Sequence, residues 1–152
     1  MTNMKSNKMI LISHRGNVLG PDPLNENKPE CILECIKQGF EVEIDVWFQD
    51  SFLYLGHDQA KYKIQPDFLK DNKEKLWCHA KNSSALSWLV SNSLHCFWHQ
   101  KDEYTITSKG FIWCYPASEI LEGSIALFPE TTNLSCDKAI GICSDYIGIY
   151  KI

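Results

Sequence analysis

Arginine is almost missing from this sequence. Of its fifteen basic residues fourteen are lysine, and Arg15 stands alone. Runs of basic residues are missing too. With a formal net charge of -4, the chain carries neither the electrostatic footprint of a nucleic-acid binder nor a polybasic patch for an anionic membrane. Long apolar runs are lacking at the start: the four residues Met9 to Ile12 are too few for a signal peptide or a membrane span. The seven cysteines include no C-x-x-C pair, so the paired spacing of a zinc site is absent. Cys78, Cys96, Cys114 and Cys143 lie inside apolar stretches, which predicts free buried thiols and a cytoplasmic protein. No repeat or low-complexity tract divides the chain, so residues 1–152 are expected to form one domain.

What is present is a series of short apolar segments. KMILIS reads as a buried strand and GNVLGPDPLNENKPE as loop. PECILECIKQG reads as a helix: Pro29 suits its first turn, Cys31, Ile32, Cys35 and Ile36 share a face, and Gly39 ends it. FEVEIDVWF alternates strictly, with Glu41, Glu43, Asp45 and Trp47 on one face and Phe40, Val42, Ile44, Val46 and Phe48 on the other. A short strand follows over Phe52 to Leu55. Strand candidates begin near Met9, Phe40, Leu76, His95, Tyr104, Phe111, Ile125 and Gly141. The first two gaps, 31 and 36 residues, leave room for a helix and a return. Eight candidates predict a compact α/β fold, a (β/α)8 TIM-type barrel, although 152 residues shared among eight units leave about 19 each. Several second-half helices must then be reduced or missing. A smaller mixed α/β sheet is the alternative.

Polar residues collect at the C-terminal ends of these strands, where parallel sheets carry their sites. Glu43 and Asp45 share a strand face; two carboxylates so close repel unless a cation lies between them or one is protonated. Taken alone, the pair also describes a solvated acidic face, which Glu41 would extend. His14 has the side chain of a general acid or base, and Arg15 the rigid donor fork that suits phosphate. Taken alone, they also read as a loop histidine and a surface ion pair. His57 follows a short strand and a glycine. His79 and Lys81 share a face, as a metal ligand and an anion-binding lysine would, or as two polar residues at a strand end. Trp98 and Gln100 also share a face, suited to a pocket wall or to packing at the sheet end.

In combination the pieces resemble the glycerophosphodiester phosphodiesterase family. The matching stretches are HRG at 14–16, PE at 29–30, EID at 43–45, GHD at 56–58 and HAK at 79–81. IWCYP and GICSDY look like the family's last two strands. The resemblance implies a TIM-type barrel and metal-assisted hydrolysis of a small phosphodiester. It makes His14 and His57 the acid/base pair, Glu43 and Asp45 ligands of a divalent cation, Mg2+ or Ca2+, and Arg15 and Lys81 phosphate-binding. Two departures stand out. The family's third-strand Glu-x-Lys is here His79-Ala80-Lys81, which puts His79 in the place of the third ligand and implies either a softer metal or a weaker metal site. The helix-opening PEC also lacks the usual Pro-Glu-Asn. Two alternatives accompany hydrolysis: a non-catalytic phosphate-ligand binder, and a lyase-type reaction that releases a cyclic phosphate.

Overall fold

The computed structural model describes residues 8–152. The chain runs β1 (Ile10–His14), α1 (Pro29–Lys37), β2 (Glu41–Gln49), β3 (Phe52–Leu55), β4 (Tyr62–Ile64), α2 (Pro66–Asp71), β5 (Leu76–Ala80), α3 (Ser83–Ser91), β6 (Cys96–Phe97), β7 (Tyr104–Ile106), β8 (Ile112–Cys114), β9 (Ile125–Leu127) and β10 (Gly141–Ser144). All ten strands belong to one mixed sheet. Its parallel part runs β6, β5, β2, β1, β10, β9, β8. β3 and β4 continue from the end of β2 as an antiparallel pair, and β7 closes back antiparallel on β8.

The expected (β/α)8 barrel is therefore corrected to an open, mixed sheet. Among the described residues no strand ladder joins β6 to β8; the two ends meet through side-chain contacts and isolated hydrogen bonds, among them Ser108 N–H donating to the Cys96 carbonyl and Cys96 N–H donating to Ser108 Oγ. The chain leaving the two-residue β6 returns as β7, which among the described residues pairs antiparallel with β8 and with no other strand, so the ladder stops there.

Alternation within the strands sorts the core into two parts. Val42, Ile44 and Val46 of β2 and Leu76, Cys78 and Ala80 of β5 pack beneath α1 and α3 through Ile32, Cys35, Ala85 and Leu89. The opposite face lies inside the curl of the sheet, where Ile12, Trp77, Phe97, Trp113, Ile125, Leu127 and Cys143 form a second cluster. Trp77 and Trp113 meet there with ring centroids 5.5 Å apart, and Phe97 lies 4.9 Å from Trp113. Filling this interior with aromatic area supplies much of the burial that a small sheet needs. All seven cysteines are free, five of them buried, as expected. Among the described residues no helix is long and apolar enough to cross a membrane.

Candidate active site

The inner face is apolar at one end and polar at the other. Two positions beyond Ile12 on β1 lies His14; beyond Trp77 on β5 lies His79; beyond Cys143 at the end of β10 lies Asp145. Because the strands are parallel, these polar residues gather at one mouth of the sheet. Register fixes their neighbours: His14 is opposite Glu43, and Asp45 is opposite His79.

Glu43 is 3 % exposed and Asp45 0 %, so the acidic row of β2 is not a solvated face. Glu41, one repeat nearer the apolar end, accepts a 2.6 Å hydrogen bond from the Trp77 indole. Glu43 Oε2 and Asp45 Oδ1 are buried and accept no hydrogen bond. His79 Nδ1 lies 3.4 Å from Asp45 Oδ1 and 3.9 Å from Glu43 Oε1. One donor atom from each of Glu43, Asp45 and His79 fits within a 4.8 Å span. Buried acceptors without partners are costly unless a cation meets them, so this donor set fits a divalent ion.

The two carboxylates are driven apart in acidity. Burial first, and then the charge of Asp45, pushes the Glu43 carboxyl above its ordinary range. Burial works against the charge of Asp45 as well, but His79, Arg15 and Asn27 outweigh it and hold that carboxyl at about 2. Asn27 grips Asp45 twice: its Nδ2 donates to Oδ2 at 2.9 Å, and its Oδ1 accepts from the Asp45 N–H at 2.9 Å. Arg15 Nε stands 3.1 Å from Asp45 Oδ2, and its Nη1 donates to Glu26 at 3.4 Å. Lys81 Nζ is 3.9 Å from Asp45 Oδ1.

His14 is held from one side and faces the site with the other. Its Nδ1 lies 2.7 Å from Asp145 Oδ1, and its Nε2 lies 3.7 Å from Glu43 Oε2. Burial disfavours the imidazolium, yet the hydrogen bond to Asp145 and the charge of Glu43 outweigh it and raise the His14 pKa. Asn17 ties this arm to the loop: its Nδ2 donates to both Asp145 Oδ1, at 2.7 Å, and Glu26 Oε1, at 3.0 Å. Arg15 and Asn27 both adopt left-handed backbone, with φ of 59° and 60°, an uncommon state for residues with a Cβ. The Asn27 N–H donates to the Arg15 carbonyl, so each stabilises the other's turn.

His57 comes from the loop between β3 and β4. It lines the same cavity but is exposed, and its Nδ1 pairs with its neighbour Asp58 at 2.7 Å. Gly56 makes this turn possible: its φ is +151°, and a Cβ there would stand 2.1 Å from the Gln59 carbonyl oxygen. Trp47 Nε1 donates to the Gly56 carbonyl at 2.6 Å and pins the loop to β2.

The cavity above these groups measures about 810 Å3. His14, Arg15, Glu43, His57, His79 and Lys81 line one side of it. Phe97, Trp98, Tyr115 and Phe128 give it an aromatic wall, which includes Gln100 as well, so the Trp98–Gln100 face does border a pocket. Tyr115 stacks on His99 with centroids 3.4 Å apart.

Of the sequence candidates, the structure brings His14, Arg15, Glu43, Asp45, His79 and Lys81 into one connected cluster, with His57 at the lip. Pro29–Glu30 is not part of it. That pair opens α1, and Glu30 is exposed. The Glu-Asn pair that does meet the site is Glu26–Asn27, from a stretch legible only as loop. Asn17, Glu26 and Asn27 carried no sequence signal, and Asp145 only its place in the GICSDY strand. No family model, curated protein or solved structure matches the chain.

Proposed function

We propose that this protein is a metal-dependent phosphoric diester hydrolase of glycerophosphodiester phosphodiesterase-like chemistry. The observation that carries the reading is the convergence of three donors. One donor atom from each of Glu43, Asp45 and His79 falls within a 4.8 Å span, and two buried oxygens accept no hydrogen bond, Asp45 Oδ1 beside His79 and Glu43 Oε2 toward His14, with the cations Arg15 and Lys81 next to Asp45. Glu26–Asn27 also supplies the Glu-Asn dipeptide that the helix-opening PEC lacks.

Glu43, Asp45 and His79 would hold the ion, which when bound supplies Lewis-acid charge to a phosphoryl oxygen. Arg15 and Lys81 add positive charge on the flank where a phosphate would lie, which is what phosphoryl transfer chiefly requires. His14 carries the proton, with Asp145 fixing the ring and stabilising its charged form. His57, across the cavity lip, is the second proton carrier. The aromatic wall accommodates the organic substituent of the diester.

The test is turnover of a chromogenic phosphodiester with added divalent cation. Activity above a His14→Ala background supports the reading; its absence with Mg2+, Ca2+, Mn2+ and Zn2+ alike sinks it. One observation favours a non-catalytic binder of phosphorylated ligands instead: His57 is exposed and paired with its own neighbour. Ligand-induced thermal stabilisation without turnover is the result expected of that reading. Phosphorus NMR of any product separates hydrolysis from release of a cyclic phosphate.

A further inference from the structure

We propose that the Glu43–Asp45–His79 centre selects an imidazole-accepting transition-metal dication, such as Zn2+ or Co2+, over Mg2+ and Ca2+. The inference rests on the metal-centre reading above and names the class of ion.

What His79 offers the two carboxylates depends on which of its nitrogens carries a proton. Nε2 lies 3.2 Å from the backbone carbonyl oxygen of His99. A carbonyl oxygen can only accept, so Nε2 must be the protonated nitrogen. The Phe97 ring stacks on the imidazole with centroids 4.9 Å apart and planes 15° apart, which holds the ring in this orientation. The nitrogen turned toward the carboxylates is therefore Nδ1. In the neutral ring it presents a lone pair, not a donor. Such a lone pair beside two carboxylates is repulsive unless a cation accepts all three. A carbonyl partner on the far nitrogen is also the usual means of orienting a histidine that ligates a metal.

Neighbouring ligands around an ion with bonds of about 2.1 Å stand roughly 3.0–3.5 Å apart. The Nδ1–Asp45 distance falls in that range, and Nδ1–Glu43, at 3.9 Å, needs only a small closure.

The donor set then decides the ion. Mg2+ and Ca2+ are hard and bind through oxygen and net negative charge. Here one ligand is nitrogen. The charge of Asp45 is also partly met by Arg15 at 3.1 Å and Lys81 at 3.9 Å. Both features weaken the hold on a hard ion, whereas imidazole suits Zn2+ and Co2+.

The experiment uses the full chain, stripped with a chelator and dialysed. Calorimetry and thermal-shift titrations with Zn2+, Co2+, Mg2+ and Ca2+ give the affinities, and Co2+ serves as spectroscopic probe. We expect Zn2+ to bind tighter than Mg2+ by a ratio that falls at least about tenfold in His79→Glu, an effect of the size seen when a metal ligand's surroundings are changed. We also expect one hyperfine-shifted, slowly exchanging imidazole N–H resonance in the Co2+ protein, from His79 Nε2–H, absent in His79→Glu. His79→Gln serves if the glutamate variant does not fold. A Zn2+/Mg2+ ratio unchanged by either substitution, with both ions still bound, overturns the selectivity inference and leaves the metal centre standing. If no cation binds, or Co2+ shows thiolate charge-transfer bands and so occupies a cysteine, the metal-centre reading falls and this inference with it.

Discussion

Asp45 and His79 are register partners on adjacent parallel strands, and they meet through Oδ1 and Nδ1 at 3.4 Å without a hydrogen bond. With Glu43 on the same face, two buried carboxylates and an imidazole nitrogen are concentrated where a sheet interior would ordinarily be apolar. An arrangement of this kind costs stability unless a cation offsets it.

That cost leads to the first prediction. Glu43→Gln removes a buried negative charge that burial and Asp45 both oppose, while keeping the side chain's shape. In chelator-treated protein the substitution should raise thermal stability, by roughly 1 kcal/mol, while diesterase activity falls by about 100-fold or more. Thermal unfolding with and without chelator, together with turnover, checks both halves. A less stable chelated variant would mean that the Glu43 carboxylate is already satisfied.

Asp145 sets both the orientation and the acidity of His14. Asp145→Asn removes one of the two groups, with Glu43, that together outweigh burial in raising the His14 pKa, so the limb of the pH–rate profile that reports His14 should move to lower pH. The turnover number should fall by about 100-fold to 10,000-fold, as when the carboxylate partner of a catalytic histidine is neutralised, with little change in KM. An unchanged pH profile would show that His14 is not the proton carrier.

His95 provides a pH dependence located away from the site. It is buried against Trp77, 4.3 Å between ring centroids, and meets Thr107 Oγ1 at 2.8 Å. Burial, and then the charge of Lys109, lowers its pKa from 6.5 to about 4. Between those values the unfolded chain binds more protons at this residue, so stability is present above pH 6.5 and declines as the pH falls toward about 4. Glu43, with its raised pKa, contributes the opposite slope over part of that window. The diagnostic is therefore the difference between the wild-type protein and His95→Gln in urea unfolding across pH 7 to 4, which should shrink steadily as the pH falls. A constant difference would count against a neutral buried His95.

Gly56 tests the loop that carries His57. Gly56→Ala places a Cβ 2.1 Å from the Gln59 carbonyl oxygen in a backbone region that side chains rarely adopt. The variant should lose more than about 1 kcal/mol of stability or displace the loop, and turnover should drop with it. Retained turnover in a folded variant would show that the position of His57 does not matter to the reaction.

The site was legible in the sequence to different depths. The strict alternation of FEVEIDVWF put Glu43 and Asp45 on one face, and WCHAK did the same for His79 and Lys81. It could not say whether those faces met water or each other. For Glu41, Glu43 and Asp45, exposure was as good a reading as burial until the curl of the sheet enclosed them. The supporting groups were less legible still. Asn17, Glu26 and Asn27 lie in a loop rich in Gly, Pro and Asn, where no periodicity operates. Their roles come from left-handed backbone at Arg15 and Asn27, which those residue types do not by themselves announce.

The sequence by itself determined the local parts: the strand periods, the helix opened by Pro29 and closed by Gly39, and the residue types gathered at the strand ends. Those follow from short-range sterics and from alternation, which act within a few residues. Tertiary structure alone decided that the sheet stays open between β6 and β8, because that depends on where β7, which pairs with β8 and not with β6, comes to lie. It also decided that Asp145, a hundred residues and more from His14, becomes its partner, since parallel β1 and β10 lie side by side. The burial that drives the Glu43 and Asp45 acidities apart is likewise a property of the assembled sheet, not of either residue.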